Sequence, residues 1–273
     1  MSNPMFVLTL MLMVAYSGIS WHVFHYSQAS AGPERNIRRE QAVLGVVLLF
    51  HAFAVLGPMV GGAVLSIGVG QALAVVAWLM LLIYWTASFF YRVDGLQLFM
   101  MPLAVLTLGF SLVFPGHHVI PDPGNPAFIL HILVSMLAYS LFAIGALLAI
   151  LMLAMERALH AKRRTPLVNH LPPLLSLERM MFQVLTVGFV LLSLALLSGL
   201  VFSETVFGQP VTLTHKTVFG VISWLTFAGL LFGRSRYGWR GRIAIRWTLV
   251  GFVLLMMAYI GSKIVLELIL KRT

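Results

Sequence analysis

Eight long apolar runs constrain this chain more than any other feature. They lie at about residues 4–25, 42–62, 68–91, 96–114, 127–155, 180–202, 213–233 and 244–268. A bilayer core about 30 Å thick is crossed by roughly 20 residues of α-helix, so each run has the length of a span or comes close to it. Breakers and charges separate them, as in "AGPERNIRRE", "PGHHVIPDPGNP", "HAKRRTPLVNHLPP" and "GRSRYGWRGR". Barrel strands of about ten alternating residues do not describe such runs. Hydrophobic residues make up 60% of the sequence and charged ones 10%, against about 25% charged in a soluble domain. The expected fold is therefore all-α: a polytopic membrane helical bundle of eight transmembrane helices, forming a single integral membrane domain over residues 1–273. The first run is of full spanning length with no basic segment before it, and is read as a retained helix rather than a cleaved signal.

Orientation follows from lysine and arginine in the connections. Fourteen of the eighteen basic residues fall in or beside the connections after runs one, three, five and seven. That side is expected to be cytoplasmic, which puts both termini on the outer, periplasmic side of a bacterial inner membrane. The same distribution accounts for the net charge of +10 without invoking nucleic acid. "GWRGR" reads as a tight basic corner, an orientation anchor able to meet lipid phosphates. In "LPPLLSLERMMF", Ser176 is the expected helix cap and Glu178 lies in the favourable first turn.

Nine histidines are present. His22, His25, His160 and His170 fall at expected cytoplasmic ends or loops, and His117 and His118 in an outer loop; interfacial polarity explains them. His51, His131 and His215 lie inside apolar runs, where an ionisable side chain is costly and by default marks function. With Asn125 as cap and Pro126 as first helical residue, His131 sits roughly 7–9 Å into the fifth helix. Thr212 or Thr214 as cap leaves His215 within about one turn of the start of the seventh. Both enter from the same side, so the two imidazoles are expected to share one layer. Neutral imidazole is an axial ligand of haem iron; the other reading is a ring hydrogen-bonded to a neighbouring helix.

Absences narrow the chemistry. With no cysteine, disulfides and thiolate metal sites are excluded. Of eight acidic residues, only Glu267 lies within a run, with Lys263 one turn earlier as its partner. Paired-carboxylate catalysis, metal-assisted hydrolysis and carboxylate-based ion coupling lack their residues.

Three stretches carry a resemblance: "FILHILVSMLAYSLFAIGALLAILML", "LPPLLSLERMMFQVLTVGFVLLSLALLSG" and "HKTVFGVISWLTFAGLLFGRSRYGWRGRIAIRWTLVGFVLLMMAYIGSKIV". Together they resemble the cytochrome c assembly family, haem-handling membrane proteins of the CcsA and CcmC type, most closely over residues 125–265. Size, eight spans and His51 followed by "AFAVL" resemble its short branch of the YpjD and HemX type. The resemblance implies that His131 occupies the place of an external haem-ligating histidine. It also sets His215 and Lys216 in the segment that carries a tryptophan-rich signature in the cytochrome c synthases. Here that segment reads "SETVFGQPVTLTHKTVFG", with no tryptophan.

The expectation is a non-enzymatic membrane protein of cytochrome c assembly or haem handling. It would bind haem b near the outer face through the iron ligands His131 and His215, with His51 as a second-site ligand or deeper polar contact. Expected partners are haem, the lipid bilayer and another membrane protein. The alternative is a haem-free transporter or regulatory membrane subunit whose histidines form a hydrogen-bonded or metal-sensing cluster.

Overall fold

A computed structural model describes residues 4–28, 36–60, 68–91, 93, 95–114, 126–161, 171–201 and 215–261. These residues form eight α-helices: α1 (Pro4–Gln28), α2 (Ile37–Val60), α3 (Val69–Ala87), α4 (Gln97–Val113), α5 (Pro126–His160), α6 (Leu174–Val201), α7 (His215–Tyr237) and α8 (Arg242–Met256), the last running into a π-helical turn, Met257–Gly261. Seven are long and apolar enough to cross a membrane; α4, at 17 residues, is a shorter apolar helix. Large apolar side chains such as Val14, Leu49, Leu106 and Val190 face outward along these helices, a surface suited to lipid.

Helix boundaries move where local caps outweigh the hydropathy pattern. α2 starts at Ile37, five residues before its apolar run, because Asn36 Oδ1 accepts the Arg39 N–H at 3.1 Å. Arg38, Arg39 and Glu40 are thus helical. α6 starts at Leu174, since the Pro173 carbonyl accepts the N–H groups of Ser176 and Leu177 at 2.8 and 3.1 Å. Ser176 is therefore inside the helix and does not cap it. Asn125, Thr212, Thr214, Lys263 and Glu267 lie outside the described residues.

The chain separates into two compact units. In the first, Met1–Ile120 with Ala158–Pro172, α1 packs on α2 and α4, and α3 packs on both of those helices. Three side chains spaced by seven on α3 hydrogen-bond to three carbonyls spaced by seven on α2. Gln71 Nε2 donates to Val55 O at 3.1 Å, Trp78 Nε1 to Leu48 O at 3.0 Å and Trp85 Nε1 to Gln41 O at 2.8 Å. One number rises as the other falls, so the helices are antiparallel and their register is pinned along about four turns of contact. α3 also meets α4 backbone to backbone: a Cβ on Gly70 would lie 2.6 Å from Ser111 Cα, so this crossing requires glycine.

In the second unit, Pro121–Arg157 with Pro173–Thr273, α7 packs on α6 and α8. Phe142 of α5 stacks on Phe227 of α7, with centroids 4.0 Å apart and both rings fully buried. Polar ties cross the same unit: Trp224 Nε1 donates to Ser193 Oγ at 2.8 Å and Ser223 Oγ to Gly251 O at 2.9 Å.

Candidate functional site

The histidines expected to matter occupy different positions in these helices. His131 is the sixth residue of α5, about 7.5 Å from its start, and is partly buried. His215 is the first residue of α7 and is exposed. Lys216, beside it, lies within electrostatic reach of the His131 ring. His51 is fifteenth in α2 and fully buried. Its apolar run begins at about residue 42, so it stands deeper in α2 than the run alone implies, because the helix starts at Ile37.

His131 Nδ1 lies 2.8 Å from Ser198 Oγ on α6. That hydroxyl donates its own hydrogen to Ala195 O at 3.0 Å. When that hydrogen stays on Ala195 O, Ser198 accepts from the ring, and the neutral His131 then carries its proton on Nδ1. Nε2 then presents a lone pair, and it has no hydrogen-bond partner among the described residues. An imidazole held by one nitrogen with the other open is the arrangement that orients a metal-ligating histidine. Gly199 lies against the same ring; its Cβ position is 3.5 Å from His131 Cε1.

His51 has the opposite bias. Its Nδ1 is 2.9 Å from the Tyr16 hydroxyl, and both side chains are fully buried. The hydroxyl has no other acceptor among the described residues, so Tyr16 donates and the neutral ring carries its proton on Nε2. That Nε2 is a buried atom without a partner.

Ser198 and Tyr16 were not visible in the sequence as partners of the histidines. Each is an ordinary residue of an apolar helix, and only the helix pairing brings it to a histidine. Glu178 was also undervalued. Its Oε1 accepts from Arg240 Nε at 2.8 Å and Arg234 Nη1 at 3.1 Å, so it ties α6 to the α7–α8 corner.

Among the described residues, no three histidine, aspartate or glutamate side chains converge as a metal site. A bare ion held by protein side chains alone takes about four of them. A haem needs less, because the porphyrin supplies four nitrogens and the protein only axial ligands. The open Nε2 of His131 fits that demand.

Comparison with known proteins places the chain. The family described as "Cytochrome C assembly protein" matches residues 46–270. The chain belongs to that family. Among its relatives, "Inner membrane protein YpjD" of Escherichia coli K12 is 32% identical over 61% of this chain and 62% of its own length. An "Uncharacterized 28.8 kDa protein" of Azospirillum brasilense is 37% identical over 52% of each chain. "Cytochrome c biogenesis protein CcsA" of Prochlorococcus marinus AS9601 is 26% identical over 59% of this chain and 60% of its own. The chain thus spans roughly half to three-fifths of the length of these relatives. With its seven spanning-length helices, this family member is a multi-pass membrane protein.

Proposed function

We propose that this chain is an inner-membrane haem-binding protein of cytochrome c assembly, holding haem b near the outer face with His131 and His215 as axial ligands. The observation that carries the reading is the Ser198 contact, which leaves His131 Nε2 open as a lone pair. Relatives named for cytochrome c biogenesis and for the inner membrane support the setting, and the lysine and arginine distribution supports periplasmic termini. Haem, when bound, would supply an iron centre for histidine nitrogens.

The chain's own residues bind and orient. Ser198 holds the His131 ring against rotation and keeps its proton on Nδ1. His215, exposed at the first residue of α7, supplies the second nitrogen, and Lys216 beside it offers a cation to a haem carboxylate. His51 is a second-site ligand or an internal polar contact. With Tyr16 donating to Nδ1 its proton is on Nε2, so taking a metal there requires Tyr16 to turn from donor to acceptor.

The test is an absorbance spectrum of the detergent-purified protein, as isolated and after adding haem. A bis-histidine spectrum lost in His131→Ala and in His215→Ala supports the reading. A haem-free preparation that cannot be reconstituted sinks it.

One observation favours a second reading. His51 and His131 each already have a hydroxyl partner on another helix, as a haem-free transporter or regulatory subunit would use them. Solute flux in proteoliposomes, or partner co-purification that survives loss of the histidines, would mark that case.

A further inference from the structure

The corner between α7 and α8 is more highly organised than an orientation anchor requires. Residues 238–241 turn the chain between two helices of spanning length, which sets the corner at the membrane–water boundary. Gly238 and Gly241 take φ values of +66° and +57°, a left-handed region open to glycine. Trp239 lies over Gly233, where any Cβ would collide with its ring, and packs on Trp247 with centroids 5.1 Å apart. The corner has one conformation that many contacts specify.

Two arginines flank Gly241 in the same manner. Arg240 Nε donates to Glu178 Oε1 at 2.8 Å, and Arg242 Nε donates to Glu156 Oε1 at 2.8 Å. Each guanidinium is held through its inner nitrogen. The outer Nη groups of both make no hydrogen bond among the described residues, and the side chains are 52% and 63% exposed. A charge that only orients a helix in the bilayer needs no such tether. Two planar forks fixed at their inner edges, on side chains more than half exposed, suit the oxygens of a phosphate group.

The surroundings decide which phosphate. Phe232 and Tyr237, exposed beside the corner, suit the boundary between acyl chains and headgroups. Five arginines lie between residues 234 and 246, and against them stand the two carboxylates Glu178 and Glu156, so positive charge is in excess and the local field favours an anion. We propose that the α7–α8 corner is a headgroup site for an anionic phospholipid, its phosphate gripped by the outer edges of Arg240 and Arg242. The site does not depend on haem.

The test uses the full-length chain, delipidated in detergent and titrated with phosphatidylglycerol or phosphatidylcholine, with bound lipid counted by native mass spectrometry. Phosphatidylglycerol is expected to be retained in preference to phosphatidylcholine. Arg240→Lys with Arg242→Lys keeps the charge and a partner for each carboxylate but removes the outer fork. It should weaken phosphatidylglycerol binding by about tenfold, the scale of a charge-assisted hydrogen bond. Arg236→Lys with Arg246→Lys, at exposed arginines outside the tethered pair, should leave binding within about twofold. If the first double variant fails to fold, Arg242→Lys alone serves, since that side chain is mostly exposed. Equal binding by the Arg240/Arg242 and Arg236/Arg246 variants, or by Arg242→Lys and the parent chain, overturns the site. Displacement of the lipid by millimolar inorganic phosphate overturns the lipid assignment.

Discussion

The Tyr16 hydroxyl meets His51 Nδ1 at 2.9 Å, with both side chains withdrawn from the surface, while Nε2 of the same ring has no partner among the described residues. His131 differs: there the serine accepts and the outer nitrogen is open. The two buried or half-buried imidazoles therefore begin from opposite proton placements. One offers an unengaged lone pair in that placement, and the other an unengaged N–H.

Tyr16→Phe should destabilise the protein by about 1–3 kcal/mol, the cost of leaving a buried polar atom without its partner. Adding His51→Leu should return most of that loss, because both partners are then apolar. Detergent-phase unfolding of the two singles and the double measures it; strictly additive losses would contradict the pairing.

Ser198→Ala should leave the fold intact and weaken haem binding by about 10–100-fold, the usual effect of removing the group that orients a ligating histidine. A haem titration followed by absorbance reads the change. An unaltered affinity would mean that the serine does not set the ring.

Glu178→Gln should cost about 2 kcal/mol. The carboxylate is buried and receives two arginines, but Arg240 is half exposed, which keeps the loss below the 3–5 kcal/mol of a fully buried pair. Thermal unfolding in detergent tests it, and a midpoint shift under one degree would show that water already satisfies these arginines.

Trp78→Phe and Trp85→Phe each remove one rung between α3 and α2 while keeping an aromatic ring. Each should cost about 0.6 kcal/mol, the average for an interhelical hydrogen bond within a membrane. Chemical unfolding of the reconstituted protein measures both.

Gly70→Val should be the most damaging of these changes to the first unit. Its Cβ would already fall 2.6 Å from Ser111 Cα and 2.7 Å from the Phe114 carbonyl oxygen, and backbone cannot yield as a side-chain tip does. Overpacking of this kind costs about 1–3 kcal/mol or more, visible as reduced yield of folded protein in detergent.

The all-helical class, the order of the eight helices among the described residues and the membrane class were legible, because a run of apolar residues is a local property and its length needs no partner to be read; of the eight expected spans, seven have spanning length and α4 is shorter. Family membership was legible too, carried by the stretches around His131, Glu178 and "GWRGR". Boundaries were less so: Asn36 extends α2 backwards, and the Pro173 carbonyl starts α6 two residues before Ser176, where the apolar pattern gives no sign.

The partners of the histidines could not be read at all. A helix that is apolar on nearly every face carries little information about which face turns inward, so its rotation and axial register are set only when it meets its neighbours. Contact decided that Tyr16 rather than a residue one turn away reaches His51, and that Ser198 reaches His131. It likewise decided that positions 71, 78 and 85 align with the carbonyls of 55, 48 and 41. Sequence alone established what could enter the membrane; only helix-on-helix register decided which nitrogen of each imidazole is left open, since a hydrogen bond depends on ångström-scale placement that hydropathy does not encode.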